Sequence, residues 1–219
     1  MATWKQFHEY VLPNVQGCPV GIVDSCIRSA CIEFCEKTLL WQQNSLPTDV
    51  LAGEARYGFS TPVGAKVVLV VQAYVVGSDS TLGTLAQTTV DELNRYRPDW
   101  TTLVTEKPFA FFMDTDSSIR LVGVPAETLP AYLSLAVALK PARSATECPD
   151  FLLEDWAEAI AHGALVRLHA MVGKPWSEKT LISYHQQKFR AAISAARSKS
   201  SKSRQRMSLI MLPRQIGNA

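Results

Sequence analysis

The last 41 residues of the chain contain no acidic side chain. Residues 179–219 carry nine Lys or Arg and no Asp or Glu. The chain has 22 basic and 20 acidic residues in all, so residues 1–178 hold 13 basic against 20 acidic, a net charge of −7 beside +9. A near-neutral total thus conceals an acidic body with a basic extension. Such an extension is typical of docking on nucleic acid or on an acidic protein surface.

Long hydrophobic runs are also missing. Apolar runs such as residues 67–71 have the length of a strand, far below the roughly 18 residues that a membrane-spanning helix needs. The first residues have no apolar run of the signal-peptide type. We therefore expect no membrane association and a cytosol-like compartment.

Catalytic motifs are absent too: the chain has no Gly-x-Ser-x-Gly motif, no Gly-rich phosphate loop and no Cys/His signature. Asp114 and Asp116 could be a carboxylate pair, but a turn rich in Asp, Thr and Ser explains them without catalysis. We expect no enzymatic activity and no cofactor.

Metal sites are not favoured by the histidines or the cysteines. His162 and His169 are seven residues apart and lie on one face of a predicted helix, but no acidic or Cys residue stands at the spacing of a further metal ligand. They are more simply explained as residues that flank a packed helix or face a neighbouring subunit. His185 is interpreted in the same way. Four of the five cysteines lie within residues 18–35 without a second Cys/His pair, so buried thiols are favoured over zinc.

Apolar periodicity predicts helices at both ends of the chain and strands between them. The predicted helices cover residues 3–11, 20–38, 150–171 and 177–196, with a short one at 89–96. The predicted strands cover 67–76, 109–113, 119–124 and 132–139, with a hairpin turn at 114–117.

These elements predict an α+β protein: a small bundle of about four helices, a β subdomain inserted between helix 2 and helix 3, and an extended C-terminal tail. The predicted divisions are residues 1–40 and 141–196 for the bundle, 41–140 for the insertion and 197–219 for the tail.

The tail combines charge with apolar residues. Its positive charges among serines cannot pack into a core, so we expect an extended or disordered chain. Apolar residues follow the basic spacer, which favours electrostatic capture and then docking on a protein. The expected partner-binding residues are Arg197, Lys199, Lys202, Arg204, Arg206, Leu209, Ile210 and Leu212.

The order of motifs resembles that of the head–tail adaptor (connector or neck) proteins of tailed bacteriophages. The N-terminal motifs are residues 10–15 and 17–19 and the helix residues 32–35 before Thr38 and Trp41. The C-terminal motifs are residues 151–152, 160–168 including Gly163 and Ala164, 174–176 including Pro175 and Trp176, and Phe189 with residues 195–196.

The resemblance implies a structural virion protein in the neck, assembled in the host cytoplasm. Such proteins form a homo-oligomeric ring, commonly of twelve copies, that joins the portal protein to the next neck or tail protein. Their C-terminal segments reach along the portal, and DNA passes through the channel without specific binding. The alternatives are a nucleic-acid-binding protein that uses the basic tail, or another neck component such as a stopper or tail terminator.

Overall fold

The computed structural model describes residues 1–58, 60–76, 82–115 and 117–208, with residues 202–208 as helix backbone only. The chain folds into two compact units. We call residues 1–3 and 41–149 the β unit, and residues 4–40 together with 150–208 the helical unit.

The β unit contains thirteen described strands and one helix. In chain order the strands are β1 (Ala2–Thr3), β2 (Gln42–Asn44), β3 (Thr48–Val50), β4 (Arg56–Gly58), β5 (Ala65–Val76), β6 (Leu82–Thr84), β7 (Ala86–Gln87), β8 (Val104–Thr105), β9 (Ala110–Thr115), β10 (Ser118–Val122), β11 (Val124–Pro125), β12 (Leu129–Pro141) and β13 (Glu147–Cys148). Helices are numbered along the whole chain, so the short helix between β7 and β8 is α3 (Val90–Tyr96).

Two long antiparallel strands, β5 and β12, form the centre of the β unit. They pair from Leu133–Val75 to Pro141–Ala65 with two register shifts. In β5 the buried residues are Val67, Val70 and Ala73, a spacing of three instead of the two of a regular strand. The register shifts account for that spacing, because each one moves the next residues to the other face.

Shorter strands complete the sheets of the β unit. β2 and β3 both pair with β12, and β6 pairs with β5, so the larger sheet has five strands. A four-stranded sheet has the order β4-β10-β9-β7, with β7 parallel to β9. β1 pairs with β13, and β8 pairs in parallel with β11.

The helix α3 begins with a capping box that the sequence encodes. The Thr89 hydroxyl accepts a hydrogen bond from the Glu92 N–H at 3.3 Å, and the Glu92 carboxylate accepts one from the Thr89 N–H at 3.1 Å. Leu93 then packs in a small core with Trp100 and Phe112. The prediction of a short helix beginning near Thr89 is confirmed.

The helical unit begins with a short helical segment and a long helix. Two 3₁₀ turns, Trp4–Phe7 and Leu12–Asn14, flank α1 (His8–Val11). α2 (Val20–Thr38) follows Pro19 and ends where Leu39 takes a left-handed conformation, φ 52°. Its end at Thr38 is as predicted.

The unit is completed by three C-terminal helices: α4 (Asp150–Glu154), α5 (Ala157–His169) and α6 (Lys179–Ser208). None of the helices in the described part of the chain is long and apolar enough to cross a membrane.

The predicted fold class is wrong. Over the residues that it describes, the structure is β-rich, with six helices, 40% helix and 30% strand, so it is not a four-helix bundle with a small β insertion. Most of the unexpected strands are two or three residues long. They are too short to display an alternating pattern, and only pairing with distant strands defines them.

Two further predictions of the helical ends need correction. The helix expected over residues 150–171 is interrupted at Asp155–Trp156 into α4 and α5. The extended C-terminal tail is also wrong for residues 197–208, because α6 continues to Ser208. Of the hairpin turn at 114–117, Asp116 lies outside the described residues.

Candidate docking surface on the helical unit

The helices α2, α5 and α6 pack around a glycine. A Cβ atom placed on Gly163 of α5 would lie 2.9 Å from two ring atoms of Phe189 on α6 and 3.0 Å from the Ala30 Cβ on α2. The neighbouring Ala164 is fully buried. Gly163 and Phe189, which carry part of the family resemblance, therefore touch, and the absent side chain permits close approach of three helices.

An aromatic cluster extends this packing toward the start of α5. The Phe34 ring on α2 lies 6.3 Å from the Phe189 ring and 5.2 Å from the Trp156 ring. Trp156 is the residue at which α4 and α5 separate, with φ −134° and ψ 14°. The interruption thus coincides with the docking of a large ring on the core of the unit.

The turn between α5 and α6 contains Pro175, which is exposed, and Trp176, which is buried. The Trp176 carbonyl lies 2.9 Å from Nδ1 of the buried His169, which therefore carries the proton on that nitrogen. The Ser177 hydroxyl donates to the His169 carbonyl at 3.1 Å. These two hydrogen bonds tie the start of α6 to the end of α5.

A charged network joins α2 to α5. The Glu33 carboxylate is bound by both Lys37 and Arg167, and Arg167 also donates to the Gly163 carbonyl at 2.6 Å. Burial alone would raise the pKa of Glu33, but hydrogen bonds and charge from Lys37 and Arg167 outweigh it, so the pKa is lowered. Sequence reasoning named Glu33 only as part of the motif at residues 32–35 and did not predict its contact with Arg167, because the two residues are 134 positions apart.

The first part of the basic stretch is folded against the unit. The Ser200 side chain is buried, and its hydroxyl donates to the Leu39 carbonyl at the end of α2 at 3.3 Å. Lys199 binds Asp155 at 3.2 Å, and its ammonium lies 5.9 Å from the centre of the Trp156 ring. These contacts explain why the stretch is helical instead of extended.

The structure describes the other predicted docking residues only in part. Arg197 is exposed on α6, and Lys202, Arg204 and Arg206 lie on its helical backbone. The predicted apolar anchor residues Leu209, Ile210 and Leu212 lie outside the described residues.

Three histidines that the sequence separates are brought together. Nδ1 of His162 on α5 lies 2.8 Å from Nδ1 of His185 on α6, and the rings of His169 and His185 stack at 5.5 Å. The pKa of His185 is lowered from 6.5 to about 4, mainly by burial and further by the electrostatic effect of the nearby His162 and His169. Both rings of the close pair therefore stay neutral at pH 7, with one Nδ1–H donating to the other Nδ1. The sequence signal for this contact was the position of His185 in the helix predicted over residues 177–196, beside the predicted helix that carries His162 and His169.

Other candidate ligands remain separate. All five cysteines are free and buried. In the described residues no group of three or more His, Cys, Asp and Glu side chains has the arrangement of a metal site. Asp114 forms an ion pair with Arg56 at 2.8 Å, which gives this carboxylate a structural role.

The comparisons with known proteins identify the family. No curated protein matches the chain significantly. The family model of the SU10 adaptor protein matches residues 17–212, a span that includes α2, the β unit from residue 41 onward, and the hairpin of α5 and α6. Because this match covers most of the chain, the chain belongs to the SU10 adaptor protein family, in agreement with its resemblance to phage head–tail adaptors.

Proposed function

We propose that the chain is the subunit of a neck ring that joins the portal of the capsid to the tail and extends the DNA channel. Twelve copies are expected, and the C-terminal segment of each copy docks on the portal. Membership of the adaptor family supports a structural virion component. The observation that carries the docking role is the single 30-residue helix α6, which ends in an acid-free basic stretch.

The first part of α6 is packed on the helical unit, and its last part has no described side-chain contact. Its base is held by Phe189 against Gly163, and its last described side-chain contact is that of Ser200. Eight more helical residues follow, which extend the helix by about 12 Å at 1.5 Å per residue. The described part of α6 thus extends about 12 Å beyond its last described side-chain contact.

The chemistry of that end favours a protein partner. Basic residues supply long-range attraction, but a segment meant for phosphates alone gains little from Leu209, Ile210 and Leu212. A portal surface with acidic and apolar patches satisfies both parts of the segment. The acidic remainder of the chain, with its net charge of −7 over residues 1–178, suits a conduit through which DNA slides without binding.

The test is a truncation after Ser201, which keeps the Lys199 and Ser200 contacts and removes the proposed anchor. We expect this variant to unfold at the same temperature as the full chain but to lose binding to purified portal rings, measured by native mass spectrometry. The full chain is expected to add twelve copies to each portal. A truncated chain that binds portals as the full chain does would refute the docking role.

Two substitution variants separate the two parts of the anchor. Replacing Leu209, Ile210 and Leu212 by Ser keeps every charge and should accelerate dissociation. Replacing Lys202, Arg204 and Arg206 by Gln keeps the apolar part and should slow association and weaken its salt dependence.

Nucleic-acid binding is the second candidate, and the absence of acidic residues from α6 favours it. It predicts that the isolated chain binds duplex DNA with an affinity that falls steeply as the salt concentration rises. Each basic residue removed should reduce the slope of log affinity against log salt concentration by about one unit. DNA affinity that survives the basic-to-Gln replacement would count against this alternative.

A further inference from the structure

A groove runs along the helical unit between α1, the start of α5 and the middle of α6. Two cavities of about 580 and 330 Å³ share four lining residues, Tyr10, Glu158, His162 and Tyr184, and so form one continuous cleft. Tyr10 and Tyr184 are 37% and 50% exposed, which is high for large aromatic rings in a packed unit. The cleft has room for several long side chains.

The mouth of this groove is acidic. Glu154, Asp155 and Glu158 line the larger cavity together with Lys188, so three carboxylates stand beside one ammonium group. In the described part of the chain no ion pair joins Glu154 or Glu158 to a basic side chain. Burial and Lys188 lower the pKa of His162 despite Glu158, so at pH 7 its neutral ring does not offset these charges.

The same rim already binds one lysine of the basic stretch. Asp155 pairs with Lys199 of its own chain, whose ammonium also lies over the Trp156 ring. Carboxylates beside aromatic faces suit long cationic side chains, because the ring attracts the charge that the carboxylate neutralises. The rest of the rim, at Glu154 and Glu158, offers similar chemistry without an ion-pair partner from the described chain.

We propose that this groove receives the basic residues 202–206 of a second copy of the chain. Within one chain, α6 passes the groove at Lys188 and Ala192 and reaches its rim at Lys199, while Lys202 lies ten residues beyond Ala192, about 15 Å along the helix axis. A second copy supplies Lys202, Arg204 and Arg206 from a stretch without acidic residues.

This contact would be head to tail, because the groove and the end of α6 are different surfaces of one chain. Contacts of that kind close into rings when the rotation between copies is suitable. The inference rests on the proposed ring and gives it a defined interface. The basic stretch would then act twice, in the first attraction to the portal and in the contact with the neighbouring copy.

A disulfide trap tests the groove without the portal. Full chains with Glu158→Cys are mixed in equal amounts with full chains with Arg204→Cys, and the mixture is oxidised while the five native thiols stay buried. We expect at least about tenfold more covalent dimer than from a control in which Glu127→Cys, an exposed acidic position of the β unit, replaces Glu158→Cys. Equal yields, or no dimer in either mixture, would overturn the proposal.

A charge exchange then tests the interface in the ring. One variant carries Glu154→Lys and Glu158→Lys, and the other carries Lys202→Glu, Arg204→Glu and Arg206→Glu. In a ring where the two variants alternate, every groove again meets a segment of opposite charge. We expect each variant alone to need about tenfold more protein than wild type to fill the portal, and the equal mixture to need less than either variant alone.

The outcomes separate the two proposals. Wild type that never binds portals, together with a positive disulfide trap, refutes the portal role and supports the groove contact. Wild type that fills portals while the Glu154→Lys, Glu158→Lys variant fills them equally well overturns the groove contact and leaves the portal role intact. Melting temperatures within a few degrees of wild type confirm that the variants are folded.

Discussion

Replacing Gly163 by Ala tests whether close helix packing at this glycine holds the base of α6. The added methyl group would lie 2.9 Å from the Phe189 ring, closer than real Cβ atoms approach a neighbour, and 3.0 Å from the Ala30 Cβ, closer than most of them do. The Phe189 ring is itself buried and lies near the Phe34 ring, and Ala30 is fixed on the α2 backbone. One of the helices must therefore shift.

Two opposing effects determine the size of the change. Overpacking of a core typically costs about 1–3 kcal/mol. Ala in place of Gly inside a helix returns about 0.5–1 kcal/mol, because the unfolded chain loses freedom and the helix gains propensity. We therefore expect a net loss of about 1 kcal/mol in the free energy of unfolding, and a melting temperature lower by about 2–4 °C for a chain of this size.

The chain offers a matched control. At Gly21 of α2 an added methyl group would have no other atom within 4 Å, so Gly21→Ala should leave stability unchanged or raise it. Urea unfolding of both variants, followed by circular dichroism, gives the two free energies. Combining Gly163→Ala with Phe189→Leu should cost less than the sum of the single changes by at least about 0.5 kcal/mol. A stabilised Gly163→Ala protein, or strict additivity with Phe189→Leu, would refute the packing argument.

Three further changes test other contacts. The folded chain binds fewer protons at His185 than the unfolded chain does, so the contribution of His185 to stability is complete above pH 6.5 and is lost as the pH falls toward about 4. The free energy of unfolding at pH 5 should therefore be about 2 kcal/mol lower than at pH 7.5, and His185→Gln should flatten that dependence. Thr89→Ala removes the capping box and should cost about 1 kcal/mol in urea unfolding. Arg167→Met leaves the half-buried Glu33 carboxylate with only Lys37 as an ion-pair partner and should lower the free energy of unfolding by about 1–3 kcal/mol. In a chain that already carries Glu33→Gln, the same replacement should cost much less.

The long helices were accessible from sequence because local rules determine them. α2 has apolar residues at helical spacing, a proline before its first residue and an end at Thr38 that the pattern predicts. The interruption at Trp156 was not accessible, since no proline or glycine marks it. It arises where the Trp156 ring packs on Phe34, a residue more than a hundred positions earlier.

The β unit was predictable only in its longest strands. β5 and β12 contain enough β-branched and apolar residues to be recognised, although their register shifts were not. β7 and β11 have two residues each, and both lie in parallel pairs whose partners come from other parts of the chain. No local pattern encodes such pairs, so the sequence underestimated the β content of the fold.

The basic stretch shows why composition alone misjudged the C-terminus. Serines and positive charges argued against packing, and that argument assumed that a segment must bury a face to become ordered. A helix needs such burial mainly for its first turn, because nucleation is costly while each added residue is nearly neutral in free energy. α6 is packed on the unit at Phe189 and held as far as Ser200, so residues 201–208 continue a helix that is already anchored. The charged residues 202–206 thus lie on helical backbone that continues the hairpin, and an ordered backbone lowers the entropy lost when such residues bind a partner.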